Sequence, residues 1–154
     1  YAKAQIQAGN SLPTRGCVLV SIKEADRARI GEAVRELAAN GFTVIATDGT
    51  ARALEALGVR AEVVHKVREG SPHVVDRIEA GDVDLVINTV DSEARSVRDS
   101  FTIRRAALQR GIPYFTRTSA ARAAAGAIRA IQLESIGVRS LQEIHAKPGA
   151  VPGA

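Results

Sequence analysis

The 154-residue chain has one cysteine, Cys17, so no disulfide framework can be built. It stands in the apolar run CVLVSI and reads as a small core residue without a role of its own. Aromatic residues make up only 3% of the sequence, and lysine and arginine never form a block. A nucleic-acid groove is therefore not expected, because it needs stacking platforms and a basic stripe. No apolar stretch is long enough to cross a membrane. The nearest candidate, the alanine-rich segment from Ala120 to Ile131, is cut by Arg122 and Arg129. The opening residues YAKAQIQAGN lack the apolar centre of a secretory signal. These absences lead us to expect a cytoplasmic protein. The first residue is tyrosine rather than methionine, as in a piece cut from a longer chain. Internal repeats are missing as well. So are a nucleophile elbow, a Walker loop, an HExxH pair and any cluster with metal-ligand spacing. We expect no catalytic residue, no metal site and no cofactor in this stretch.

What the chain does have is a 45% hydrophobic share, enough for one compact domain with its own core. Lysine and arginine outnumber aspartate and glutamate by 21 to 17, a net charge of +4. The excess is mostly arginine spread along helices, a solvated surface that still suits small acidic partners such as phosphates.

Short apolar runs alternate with helical spacing along the whole chain. Cys17 to Ile22, Phe42 to Ala46, Ala61 to Val64, Asp84 to Asn88 and Ile112 to Phe115 read as five strands. Between them, helices are expected over Asp26 to Asn40, Thr50 to Leu57, Pro72 to Gly81 and Ser96 to Arg110. Gly41, Gly58, Gly81 and Gly111 supply the stops, Asp26 a cap, and Pro72 a helix start. An alanine-rich helix follows from Ala120 to Glu134, then a separate last turn from Ser140 to His145. Residues 1–16 end in SLPTRG and are expected to be a linker. Residues 17–146 form the domain, and KPGAVPGA, 147–154, a loose tail. Strands alternating with helices predict an α/β fold, a five-stranded parallel sheet covered on both faces.

In such sheets ligands bind beyond the carboxyl ends of the strands. Those ends carry Ser21, then Thr47-Asp48-Gly49-Thr50, then His65 and Lys66, then Asn88, then Thr116. The second is the most informative, because a buried strand runs directly into a helix through two threonines and a glycine. Either Thr47 caps the helix, worth about 1 kcal/mol, or the first amides of the helix hold an anion. Gly49 lets the backbone approach a ligand, Thr47 and Thr50 add hydroxyls, and Lys66 adds a full charge. With Lys66 and Asn88 on the same rim, the phosphate is the favoured reading. Asp48 would repel it and must turn away, toward Arg52. The histidines His65, His73 and His145 read as surface or rim residues, and Asp76 and Asp99 as partners for arginines such as Arg77 and Arg95.

The stretches ATDGTA, VHKVREGSPHVVDRI, LVINT, TIRRAALQRGIPYFT and SLQEIH resemble the C-terminal allosteric domain of carbamoyl-phosphate synthase large subunits, a methylglyoxal-synthase-like (Rossmann-like) fold. The likeness runs from YAKAQ through SLQEIHA, nearly the whole chain. It implies a three-layer sandwich and a regulatory role without chemistry of its own. The parent enzyme makes carbamoyl phosphate from bicarbonate, glutamine-derived ammonia and two ATP, with Mg or Mn, for arginine and pyrimidine synthesis. The resemblance implies as partners the rest of the large subunit, the small glutaminase subunit, nucleotide effectors (UMP, IMP) and ornithine. Self-association is left open. The phosphate pocket it implies is Ser21, Arg27, Thr47, Gly49, Thr50, Lys66 and Asn88, with Thr116 on the ornithine side. The chain departs from the family after Asn88, where Thr89 to Arg95 has one extra residue, lacks a hydroxyl at Val90 and gains two acids.

Methylglyoxal synthase shares the cradle but needs a carboxylate base, and the matching position here is Ser71. The cyclohydrolase half of the purine enzyme that closes the inosinate ring has similar turns, but its downstream GRVKTLHP-type segment has no counterpart. An interface domain with an empty pocket is the remaining alternative.

Overall fold

The computed structural model describes the backbone of residues 11–146 and the side chains of residues 11–137. Residues 1–10 of the expected linker and the expected tail, 147–154, lie outside the described residues.

Five strands form one sheet: β1 (Gly16–Ser21), β2 (Phe42–Thr47), β3 (Glu62–Val64), β4 (Leu85–Asn88) and β5 (Tyr114–Phe115). All pairs are parallel, in the spatial order β3-β2-β1-β4-β5. The connecting helices are α1 (Arg27–Ala39), α2 (Asp48–Ala56), α3 (Val74–Glu79), α4 (Ala94–Gln109) and α5 (Thr118–Ala146), with a 3₁₀ turn at Glu24–Asp26. Successive strand residues serve opposite faces. Val18, Val20, Val44, Ala46, Leu85 and Ile87 pack under α1, α2 and α5, with Ile30, Leu37, Leu54, Ala124 and Ile128. Leu19, Ile45 and Val86 pack under α3 and α4, with Val74, Ile78, Ile103 and Ala107. This is the expected α/β sandwich of three layers. Both sheet faces are covered, which is why the central strands are nearly unbroken apolar runs and every residue of β4 is buried. Burial of each large side chain, such as Leu19, Ile45 or Ile87, stabilises by about 1.5–3 kcal/mol.

The helix stops fall at the expected glycines. Gly41 and Gly111, at φ 95° and 66°, adopt the left-handed conformation that closes α1 and α4. Gly31 has a packing role: a Cβ there would collide with Leu57 Cδ1, so its absence lets α1 lie close on the end of α2.

Beside shifts of one or two residues at element ends, four differences from the expected elements matter. First, α2 starts at Asp48 with no loop after β2, so the strand hands its last residue, Thr47, directly to the helix. Second, Asp26 takes the cap position of α1 but makes no capping bond; its carboxylate pairs with Lys23 Nζ at 3.6 Å. Third, Pro72 is not the first helical residue, since α3 begins at Val74 with His73 as its cap. Fourth, the two expected C-terminal helices are one, Thr118–Ala146. Its interior glycines, Gly126 and Gly137, cost the helix about 1 kcal/mol each and do not end it.

Candidate functional site

β1 lies between β2 and β4, so the chain leaves the sheet centre in opposite directions on its two sides. At that switch point the carboxyl ends open into a cavity of about 520 Å³. Ser21, Arg27, Thr47, Gly49, Lys66 and Asn88 all line it. Residues 89–91, with Glu93, Arg95, Ser96, Asp99 and Ser100, form the facing wall. That wall contains the segment in which the chain departs from the family pattern.

The β2–α2 junction settles how the threonines are used. Thr47 has the extended conformation of a cap residue, φ −65° and ψ 151°, yet its side chain makes no capping bond. Its hydroxyl instead lies 3.2 Å from Thr50 Oγ1. Thr50 is 1% exposed and does not line the cavity. Its oxygen accepts from Ile22 N at 3.0 Å and lies 3.4 Å from Ile22 O. The Thr50 hydroxyl expected at the anion is therefore a tie between α2 and the end of β1, although its backbone N–H stays in the first turn. That turn has no side-chain cap, so its amides are free for another acceptor.

Positive charge gathers at the same place. Arg27 starts α1 and lays its guanidinium against Gly49, where a Cβ would come 2.6 Å from Nη2. Glycine at 49 thus admits the arginine as well as exposing backbone. Arg27 Nε is buried with no partner among the described residues. Lys66, after β3, is exposed and lines the same cavity; its backbone N–H donates to Glu69 at 3.1 Å. Asp48 does turn away, as expected: Arg52 Nε is 3.2 Å from Asp48 Oδ1, and Arg52 Nη2 binds Oδ2. That hydrogen bond, with the charges of Arg52, Lys66 and Arg27, holds the Asp48 carboxyl below the usual range.

The facing wall is mixed. Asp99 pairs with Arg68 at 3.4 Å rather than with Arg95, and Asp91 accepts from Glu93 N at 3.1 Å. Thr89 closes the rim near β1: its N–H donates to Ser21 O at 3.0 Å, and its Oγ1 accepts from Lys23 N at 3.1 Å. Asn88, 4% exposed, holds Ser100 Oγ at 3.2 Å and Tyr114 Oη at 2.7 Å through Nδ2. Neither Ser100 nor Tyr114 carried a local sequence signal, because they come from α4 and β5.

The remaining candidates lie apart. Thr116 is exposed and outside the cavity. His73 caps α3, accepting from Asp76 N at 3.3 Å. The Asp76 carboxylate accepts from His73 N and from Ser71 Oγ, both at 2.8 Å. These hydrogen bonds hold its carboxyl below the usual range. The expected pairing of Asp76 with arginine is not found, and Arg77 binds Glu62 and Asp82. Ser71 serves the same cap, and no carboxylate stands in its place. The side chain of His145 lies outside the described residues. Among the described residues no group of three or more His, Cys, Asp or Glu is placed to hold a metal, and no helix is long and apolar enough to cross a membrane.

Comparison with known proteins shows the family of the chain. The MGS-like domain family matches residues 29–116. The chain is 48% identical over 143 residues to a carbamoyl phosphate synthase large chain of Brucella suis, covering 93% of this chain and 12% of that one. It is 40% identical over 153 residues to the large chain of Myxococcus xanthus, covering 99% and 14%. To the C-terminal section of the large chain of Methanopyrus kandleri it is 42% identical over 145 residues, covering 94% and 27%. The chain thus spans between about an eighth and a quarter of the length of these relatives, and it belongs to the MGS-like domain family, in the branch whose relatives are carbamoyl phosphate synthase large chains.

Proposed function

We propose that this chain is the effector-binding, regulatory domain of a carbamoyl phosphate synthase large chain. A nucleoside monophosphate, UMP or IMP, enters the cavity with its phosphate at the start of α2. The backbone amides of Gly49 and Thr50 meet the phosphate, and Arg27, Lys66 and the Ser21 hydroxyl surround it. Ornithine binds on the side of Thr116. The occupied state controls formation of carbamoyl phosphate from bicarbonate, glutamine-derived ammonia and ATP in the rest of the large chain, with a small glutaminase subunit, in the cytoplasm. Control needs a ligand that binds two states of the parent unequally, typically by about 1–3 kcal/mol.

The observation that carries this reading is the uncapped first turn of α2, which opens on a cavity lined by Arg27 and Lys66. A cap residue that spends its hydroxyl on a neighbouring side chain leaves the helix amides without a partner, and a phosphate satisfies them. The lyase alternative has no support at Ser71, whose hydroxyl is held by Asp76. Calorimetric titration with UMP and IMP tests the proposal. Saturable heat that phosphate competes away supports it. Absence of heat with both nucleotides favours an interface domain, and methylglyoxal formed from dihydroxyacetone phosphate favours a lyase.

A further inference from the structure

Asn88, Ser100 and Tyr114 close a ring. Asn88 Nδ2 is 2.7 Å from Tyr114 Oη and 3.2 Å from Ser100 Oγ, and the two hydroxyl oxygens are 3.2 Å apart. Three hydrogen bonds need three protons. With Nδ2 turned into the ring, the amide supplies two and one hydroxyl supplies the third. With the amide turned over, Oδ1 would need both hydroxyl protons, and the Ser100–Tyr114 contact would be left with none. Proton counting therefore selects the orientation with Nδ2 inward. Both amide protons are then spent on the ring, and Oδ1 keeps its acceptor capacity.

This matters because Asn88 and Ser100 line the cavity while Tyr114 does not. The phenol approaches from β5, behind the wall, and has no direct part in holding a ligand. We propose that Tyr114 is a positioning residue that fixes Asn88 as a hydrogen-bond acceptor toward the cavity. The cavity then selects for a ligand that presents a donor, a hydroxyl or an N–H, beyond its anionic group. The facing wall is mixed: the carboxylates of Asp91, Glu93 and Asp99 add acceptors, and Arg95 and Ser96 add donors. The start of α2 offers donors to an anion, and Asn88 Oδ1 offers an acceptor to the rest of the ligand. This deepens the proposed function, rests on its placement of the anion at α2, and takes Asn88 out of the expected phosphate pocket, because an outward Oδ1 cannot donate to an anion.

The test compares two phosphomonoesters of equal charge, ribose 5-phosphate, which bears hydroxyls, and propyl phosphate, which bears none. The wild-type chain should bind ribose 5-phosphate more tightly. Tyr114→Phe should weaken ribose 5-phosphate about three- to tenfold and leave propyl phosphate within about twofold, which a merely structural role would not do. If Tyr114→Phe folds poorly, exchange of the Asn88 side-chain amide protons in the wild type serves instead: slow exchange of both supports the ring, and fast exchange of either overturns the inference. Equal weakening of both ligands, no weakening of either, or no wild-type preference overturns the inference while leaving the anion site intact. If the wild type binds neither ester, the anion site itself falls, and this inference with it.

Discussion

Replacing Thr50 by valine removes one oxygen and keeps the shape of the side chain. In the wild type that oxygen accepts the Ile22 N–H at 3.0 Å, in a place where Thr50 is 1% and Ile22 4% exposed. Valine leaves the Ile22 donor buried without a partner, a loss of about 1–3 kcal/mol. The Thr47 hydroxyl also loses a partner, but it lines the cavity and water can replace it, so its share is small. The 3.4 Å contact with Ile22 O adds little. The expected total is about 2 kcal/mol. For a chain of this size that lowers Tm by about 4–8 °C and the urea midpoint by about 1 M. Thr50→Ser keeps the oxygen and should recover most of the difference. Phosphate affinity should stay within about twofold in both variants, because the hydroxyl does not face the cavity. A valine variant as stable as the wild type would show that Ile22 N–H has another acceptor. A stable variant that no longer binds anions would make Thr50 a ligand group after all.

Two further outcomes follow from the ionisable groups. Burial pushes the Cys17 thiol up to about 11, so at pH 8 it carries roughly two hundredfold less thiolate than a free cysteine. Even after the greater nucleophilicity of a high-pKa thiolate, alkylation by iodoacetamide should be about twentyfold slower in the folded chain. A rate equal to that of the urea-unfolded chain would contradict this. The Asp76 carboxyl lies below its usual range when folded, through its bonds to His73 N and Ser71. Its contribution to stability is therefore present above the ordinary aspartate value of about 3.9 and is lost as pH falls through the folded value. Denaturation midpoints between about pH 5 and pH 2.5 should fall less steeply for Asp76→Asn than for the wild type; identical slopes would remove Asp76 from the account.

Most of the sheet was legible because a doubly covered parallel strand needs an apolar run, and five such runs stand between glycine stops. α5 reads as two helices in the sequence, but a glycine ends a helix only where the chain can turn away, and α5 continues past Gly137. At the site, the rim residues Ser21, Thr47, Gly49, Lys66 and Asn88 could be named because a parallel sheet brings strand ends together whatever their spacing. Arg27 came from the family resemblance, and its contact with Gly49 gives it a physical reason. The roles of hydroxyls were not legible. Thr47 and Thr50 look alike in sequence, yet one faces the cavity and the other ties two elements together. Asp76 likewise chose a serine and a backbone amide over any arginine. Such choices depend on distances of a few tenths of an ångström between residues far apart in the chain. Ser100 and Tyr114, 12 and 26 residues from Asn88, are the clearest case.

The central claim is that the first amides of α2 hold a phosphate. The most direct measurement is the shift of backbone amide resonances in the isotope-labelled chain as phosphate, then UMP, is added. The account predicts the largest changes at Asp48, Gly49 and Thr50, from both ligands, with saturation at lower concentration in the wild type than in Lys66→Ala. Changes centred on another helix start, such as Thr118 of α5, or no saturable change at Gly49, would contradict it.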